Sequence, residues 1–279
     1  KIGFTACSNA LIEEDRNDIK RLDEYLRSLD LFPVWSPYMF RARRGEAAPA
    51  RERAQSLMEF YRDSSIAAIF DLSGGDLANE VLEDLHMRRI ADIGKPFWGY
   101  SDLSTVLNAL WTGAGAPGVL YQLRNLVGAD EKEQRRRFCA WLNGDSEELF
   151  SPVWRFLQGK SMGGVLVGGN LRCFLKLAGT QWFPKLRGKI LFLESLGGSL
   201  ATIRTYLAQL RHMGAFEASA GLLVGSFTKA ERESGRGAVE QTILECVDTP
   251  RLPVASTLQV GHGADSRALR IGGEIRIEE

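Results

Sequence analysis

Apolar positions along the chain follow two rhythms. Short unbroken apolar runs fall at Ile2–Ala6, Leu31–Trp35, Ile66–Phe70 and Pro96–Tyr100, and each predicts a short strand. Pro33 weakens the second of these as a central strand, because proline cannot donate to a ladder on that side. Between the runs the period changes. Ile19, Leu22, Leu26 and Leu29 share one face and predict a helix over 17–29. Residues 49–63 and 77–90 read as helical by composition, and a further helix is expected from about Asp102 to Trp111. Strand, loop and helix repeat in that order. The rhythm predicts an α/β fold whose first part is an open, mostly parallel, Rossmann-like sheet.

The middle of the chain breaks the rhythm. Residues 113–118 read as a Gly/Ala/Pro loop, 130–143 as a highly charged solvated helix, and 146–158 as a second polar helix. Strand-like runs then resume at 164–167, 189–194, 221–227, 252–258 and 274–277. One clear amphipathic helix, 199–213, carries Leu200, Ile203, Leu207 and Leu210 on its inner face. The expected organisation is an N-terminal α/β lobe over 1–145, a connecting segment over 146–162, and a strand-rich C-terminal lobe over 163–279.

Composition narrows the function classes. The 35 Lys+Arg balance 35 Asp+Glu, which disfavours a nucleic-acid partner. No apolar run approaches the roughly 18 residues that span a bilayer, so no membrane partner is expected. No signal peptide is visible, and a start at Lys1 without methionine is read as a trimmed end. Cys7, Cys139, Cys173 and Cys246 are scattered and form no C-x-x-C pair, which suits a reducing, cytoplasmic setting without a disulfide framework. His86, His212 and His262 show no ligand spacing, so neither a metal nor any other cofactor is expected.

Two nucleotide motifs fail on context. Residues 113–118 match G-x-G-x-x-G, but they follow a helix and contain Pro117, which has no N–H to offer a phosphate. Gly159-Lys160-Ser161 resembles the end of a phosphate loop, yet the required earlier glycine is Trp154.

Gly99-Tyr100-Ser101-Asp102 is the strongest local signal. A serine between the end of an apolar strand and the start of a helix projects from a sharp turn at the sheet edge. The next N–H, that of Asp102, is an orphan donor suited to an oxyanion. The match to a G-x-S-x-G elbow is partial, since Leu103 occupies the last position, and helix capping is the competing role for Ser101. Ser73-Gly74-Gly75-Asp76 also links strand to helix. Its glycines could aim N–H groups at an anion or simply form a tight turn. A serine nucleophile needs a base. His86 reads as a surface residue inside a charged helix and His212 as a cation at a helix end, whereas His262 follows an apolar strand between Gly261 and Gly263. Glu194 closes the run Ile190–Leu193 and would be costly there unless paired; Asp265 is the rival carboxylate to orient the histidine.

Taken together and in this order, these segments resemble the L,D-carboxypeptidase family of serine peptidases, which includes muramoyltetrapeptide carboxypeptidases and microcin C immunity carboxypeptidases. The resemblance spans nearly the whole chain. It is carried by Ile2–Ala6, Ser73-Gly74-Gly75, residues 95–104, Val167-Gly168-Gly169-Asn170-Leu171, Ala178-Gly179-Thr180, residues 190–194 and Gly261-His262-Gly263. It implies a Ser–Glu–His triad of Ser101, Glu194 and His262, with Ser101 as nucleophile and His262 as base. It also implies an oxyanion hole from the N–H of Asp102 and of Gly75 or Gly74, and a homodimer. Asn170, in a Gly-rich loop, is a candidate for substrate binding, though a turn would also use it.

Two departures bear on substrate. Asp76 stands where many murein-recycling members have an aromatic residue after the glycines. Ser195-Leu196 stands where many carry a second acidic residue. The expected activity is metal-independent cleavage of the L,D bond before a C-terminal D-Ala in murein tetrapeptides. The alternatives are an immunity-type hydrolase of peptidyl- or aminoacyl-nucleotides and a non-catalytic two-lobed binding protein. The expected partner is thus a small peptide or peptidyl-nucleotide.

Overall fold

The computed structural model describes residues 1–40, 47–145 and 147–279. In chain order its strands are β1 (Ile2–Thr5), β2 (Pro33–Trp35), β3 (Ala68–Asp71), β4 (Phe97–Gly99), β5 (Gly118–Leu120), β6 (Arg155–Gln158), β7 (Ser161–Asn170), β8 (Ile190–Ser195), β9 (Gly221–Phe227), β10 (Val254–Ser256), β11 (Leu269–Ile271) and β12 (Glu274–Glu278). They form two six-stranded sheets, ordered β11-β5-β4-β3-β1-β2 and β12-β7-β8-β9-β10-β6. In the first, β2, β1, β3, β4 and β5 run parallel and β11 is antiparallel. In the second, β7 to β10 run parallel between the antiparallel edges β12 and β6. The α/β class and the mostly parallel sheets expected from the apolar pattern are what the chain adopts.

An aromatic ladder sets the register of the first sheet. Phe4 pairs with both Trp35 and Phe70, and Phe70 with Trp98. Their rings follow the same order, with centroids 4.4 Å (Phe4–Trp35), 5.6 Å (Phe4–Phe70) and 5.2 Å (Phe70–Trp98) apart. A one-residue slip in any strand would turn its ring to the opposite face. The ladder therefore aligns the C-terminal strand ends, which is where ligands bind in open α/β sheets. Pro33 sits on β2, an edge strand, where its missing N–H costs nothing in the ladder.

Three stretches depart from the sequence expectation. Residues 77–90 are not one helix. A 3₁₀ segment, Ala78–Asp84, ends at extended Leu85, and a separate helix, Met87–Ile93, follows. The 113–118 loop shrinks, because the helix Ser104–Ala114 runs on to a left-handed Gly115 and Gly118 opens β5. The polar helix expected over 146–158 is only Glu147–Phe150. Pro152 cannot continue a helix, and Arg155–Gln158 instead forms edge strand β6. Beyond these, the helix Arg236–Val247 escaped notice because its polar start masks its buried Val239, Ile243 and Val247. The late strand β11 returns to the first sheet beside β5.

Side chains from the helix Ser104–Ala114 tie the two sheets together. Asn108 Nδ2 donates to Gly168 O at 2.7 Å, and Asn108 Oδ1 accepts from Gly168 N at 2.9 Å. Ser104 Oγ accepts from Asn170 N at 2.9 Å, and Thr105 Oγ1 donates to Cys173 O at 3.0 Å. All four contacts are buried, so they are little weakened by competing water.

Candidate active site

The C-terminal ends of β3 and β4 converge at one cavity. After β4, Tyr100 is extended and Ser101 turns sharply with φ +54°, a left-handed conformation uncommon for a residue with a side chain. Asp102 follows in the first turn of a 3₁₀ segment, where N–H groups lack intrahelical partners. After β3, Gly75 has φ +116°, and a Cβ there would meet Asn9 Cγ at 2.4 Å; only glycine fits. Ser101, Gly74 and Gly75 all line a cavity of about 470 Å³ with Tyr100, Arg124 and His262.

His262 arrives from the second sheet, on the loop beyond β10. Gly261 lets that loop pass close to the end of β9, because a Cβ there would meet Ser226 Oγ at 1.7 Å. The carboxylate that meets the ring belongs to Glu194, not Asp265: His262 Nδ1 lies 2.8 Å from Glu194 Oε2. Glu194 sits fully buried near the end of β8. Its other oxygen accepts from Asn170 Nδ2 at 3.0 Å, while Asn170 Oδ1 caps the next short helix by accepting from Cys173 N at 3.3 Å. With Nδ1–H donated to the carboxylate, the lone pair of the neutral ring falls on Nε2, which is buried and has no hydrogen-bond partner. The Tyr100 ring packs edge-on against the imidazole, with centroids 4.9 Å apart. Burial, then the nearby Glu194 charge, pushes the Tyr100 phenol well above its ordinary value, so it stays neutral. Its hydroxyl meets no partner in hydrogen-bond geometry.

The carboxylate of Asp102 is also fully buried. It accepts from Ser8 Oγ at 2.6 Å and Ala78 N at 2.9 Å, and it is ion-paired with Lys176. Lys176 also donates to Asp76 O at 2.8 Å. Arg172 donates to Gly75 O at 2.9 Å and pairs with Asp76. Both cations come from the segment just after β7. A second cavity, about 290 Å³, shares Ser101, Gly75 and Leu196 with the first and is otherwise lined by residues such as Asn170, Arg172 and Gly198.

Sequence profiles of two consecutive domains match this chain. That of the LD-carboxypeptidase N-terminal domain covers residues 2–122, and that of the C-terminal domain covers 163–277. The chain belongs to the LD-carboxypeptidase family. A probable murein peptide carboxypeptidase of Bacillus subtilis is 28% identical over 234 residues, 80% of this chain and 72% of that protein. Among solved structures, MccF in complex with glutamyl sulfamoyl guanosine has a TM-score of 0.88 at 20% identity, covering 100% of this chain and 95% of that one. Muramoyltetrapeptide carboxypeptidase from Oxalobacter formigenes has a TM-score of 0.82 at 23% identity, with the same coverage. These similarities make the chain a hydrolase of the serine carboxypeptidase or MccF type.

In this chain the sequence-derived residues separate cleanly. Ser101, His262, Gly74 and Gly75 line one cavity, and Glu194 holds the histidine from behind. His86 precedes its helix instead of lying inside it, and His212 ends another; both are exposed. Asn170 borders the second cavity with its amide committed to Glu194 and Cys173. Sequence reasoning missed Arg124, Arg172 and Lys176. Nothing in the local pattern separates these three from other surface cations; only the topology brings them to the strand ends. Among the described residues, no helix is long and apolar enough to cross a membrane, and all four cysteines are free.

Proposed function

We propose that this member of the LD-carboxypeptidase family is a metal-independent serine enzyme that removes a C-terminal D-amino acid, D-Ala, from murein tetrapeptides. The reading includes a cytoplasmic, homodimeric protein that recycles soluble wall peptides. It assigns the nucleophile to a lobe over 1–145, the Glu and His to a lobe over 163–279, and a linking role to 146–162. Ser101 Oγ attacks the carbonyl of the last amide while His262 Nε2 takes its proton. The N–H groups of Asp102 and of Gly75 or Gly74 hold the oxyanion. His262 Nε2 then gives the proton to the departing amine, and water releases the acyl-enzyme by the same steps. Glu194 fixes the tautomer, and Asn170 fixes Glu194 while bordering the acyl side of the cleft.

The observation that carries the reading is the His262 Nδ1–Glu194 contact at 2.8 Å, which leaves an unpartnered Nε2 at a cavity that the strained Ser101 also lines. No hydrogen bond joins Ser101 to His262 among the described residues; contacts between base and nucleophile commonly tighten only when substrate closes the site. A D-residue puts its methyl where an L-residue puts hydrogen, so a shaped pocket can reject one isomer.

Amino-acid release from L-Ala-γ-D-Glu-diamino acid-D-Ala and from its L-Ala isomer, beside an aminoacyl-sulfamoyl adenosine, tests the reading. D-Ala release should dominate, and Ser101→Ala should lower kcat by roughly 10⁴–10⁶. Faster cleavage of the nucleotide conjugate would move the enzyme to the immunity branch. Failure of a serine-reactive phosphonate to label Ser101 would favour the binding protein.

A further inference from the structure

An enzyme that removes a single terminal residue must recognise a free carboxylate, and the residue that does so is not part of the Ser–Glu–His arrangement. We propose that Arg124 captures the α-carboxylate of the departing residue, and so makes the site select free C-termini. The inference rests on the carboxypeptidase reading above.

The direction of the substrate follows from proton transfer. The base that takes the proton from Ser101 must give it to the leaving nitrogen, so that nitrogen lies on the His262 side of the nucleophile. Of the two cavities that meet at Ser101, only the first is bordered by His262. The leaving residue therefore occupies the first cavity and the acyl peptide extends into the second. Among the described residues, Arg124 is the one arginine or lysine lining the first cavity. It is carried on a short 3₁₀ segment, Leu123–Val127, just beyond β5, the strand next to the one that delivers Ser101.

Arg124 is held in place while part of its fork stays open. Its Nη2 pairs with Asp15, and Asp15 is itself anchored by Ile12 N at 3.0 Å. Among the described residues, Nη1 makes no hydrogen bond, so the guanidinium can still offer it as a charged donor to a carboxylate. The side chain is 28% exposed, enough to reach a ligand and little enough to limit screening. Pinning by Asp15 reduces the rotamer freedom lost when substrate binds. Arg172, the cation of the second cavity, cannot do this work. Its Nη1 and Nη2 are spent on Asp76 and Gly75 O, and it stands on the acyl side.

The test compares kcat/KM for the D-Ala-terminated tetrapeptide as free acid and as C-terminal carboxamide, in the wild type, Arg124→Leu and Arg124→Lys. A charge-assisted hydrogen bond predicts a wild-type preference for the acid of about 10- to 100-fold. That ratio should fall to about 1 in Arg124→Leu, mainly through KM, and stay intermediate in Arg124→Lys, which keeps the charge but loses the fork. Phosphonate labelling of Ser101 in each preparation reports that the site is folded. Should Arg124→Leu lose labelling, Arg124→Gln, which can still donate to Asp15, carries the comparison. Ser101-dependent cleavage with equal rates for acid and amide in the wild type, or an acid preference undiminished in Arg124→Leu, overturns the role of Arg124 and leaves the carboxypeptidase intact. Cleavage confined to the aminoacyl-sulfamoyl nucleotide, or no labelling of wild-type Ser101, overturns both.

Discussion

Replacing Glu194 by glutamine should inactivate the enzyme through the histidine tautomer, with packing unchanged. Glutamine fits the space of glutamate, but its two terminal atoms differ. Asn170 Nδ2 donates to the outer oxygen of Glu194, and Asn170 cannot flip freely, because its Oδ1 caps the helix at Cys173 N. The introduced glutamine must therefore point its carbonyl at Asn170 and its NH₂ at His262 Nδ1. The ring then has to accept at Nδ1 and carry its proton on Nε2, where it can no longer act as a base. The opposite orientation returns the carbonyl to Nδ1–H but sets NH₂ against NH₂, leaving two buried donors unmet. Two unmet buried donors at about 1–3 kcal/mol each put that state about 2–6 kcal/mol higher. At 1.36 kcal/mol per tenfold, the active tautomer is reduced roughly 30- to 10⁴-fold. The upper end matches the scale on which serine proteases lose activity when their orienting carboxylate becomes an amide.

The same logic predicts a rescue. Asn170→Asp alone should be harmful, since two buried carboxylates would face each other across the 3.0 Å contact. Combined with Glu194→Gln, the aspartate accepts from the glutamine NH₂ and still caps the helix, which turns the glutamine carbonyl back to His262. The double variant should exceed Glu194→Gln by at least about tenfold in kcat. Imidazole ¹⁵N shifts of His262 give a readout independent of turnover: the proton should sit on Nδ1 in the wild type and double variant, and on Nε2 in Glu194→Gln. A Glu194→Gln enzyme within about fivefold of wild type, or a double variant no better than the single one, refutes the argument.

Asn108→Leu should orphan Gly168 N and O between the sheets and cost about 2–6 kcal/mol in urea unfolding, at about 1–3 kcal/mol per unmet buried group; a loss below about 1 kcal/mol would show that the contact does not hold the sheets together. Burial pushes the Cys7 and Cys173 thiols above their ordinary value, so a native thiol titration should find half-buried Cys139 fast and those two silent until denaturation. Comparable labelling of Cys7 in the native protein would count against its environment. His86→Ala and His212→Ala should each keep most activity, and EDTA should leave turnover unchanged, because no group of three or more potential ligands gathers among the described residues. Loss on chelation, restored by added metal, would contradict the metal-independent reading.

Much of the fold was legible because its elements are locally determined. β9 matches its apolar run residue for residue, and the helix Leu200–His212 follows directly from Ile203, Leu207 and Leu210. What escaped was decided at a distance. β11 is three residues whose reason for being a strand is the free edge of β5, some 150 residues earlier in the chain. Arg155–Gln158 looked like helix because its polar residues suit an exposed edge strand equally well. At the site, Ser101, the glycine pair and His262 carry strong local signatures: Ser101 and Gly75 turn with positive φ, and Gly261 beside His262 has no room for a Cβ. Arg124, Arg172 and Lys176 need none, and their importance depends on which strand ends the sheets bring together.

The buried acid after the nucleophile points to how the two sheets act on one another. Asp102 would contribute only its N–H to an oxyanion, yet its carboxylate is held by Ser8, Ala78 N and Lys176, from three separate segments. Lys176 also reaches Asp76 O, and the neighbouring Arg172 grips Gly75 O, so one short segment after β7 holds both proposed oxyanion donors. Donors that must not move when charge develops are best fixed by charged partners shielded from water; the Asp102–Lys176 pair meets that condition, whereas the Arg172 contacts lie at the surface. Lys176 and Arg172 follow β7, on the sheet that also carries Glu194 and leads to His262. On this view the Ser101 turn is not preorganised by its own sheet alone. Loosening the second sheet should blunt the proposed oxyanion site and base together, so Asn108→Leu should lower kcat as well as stability.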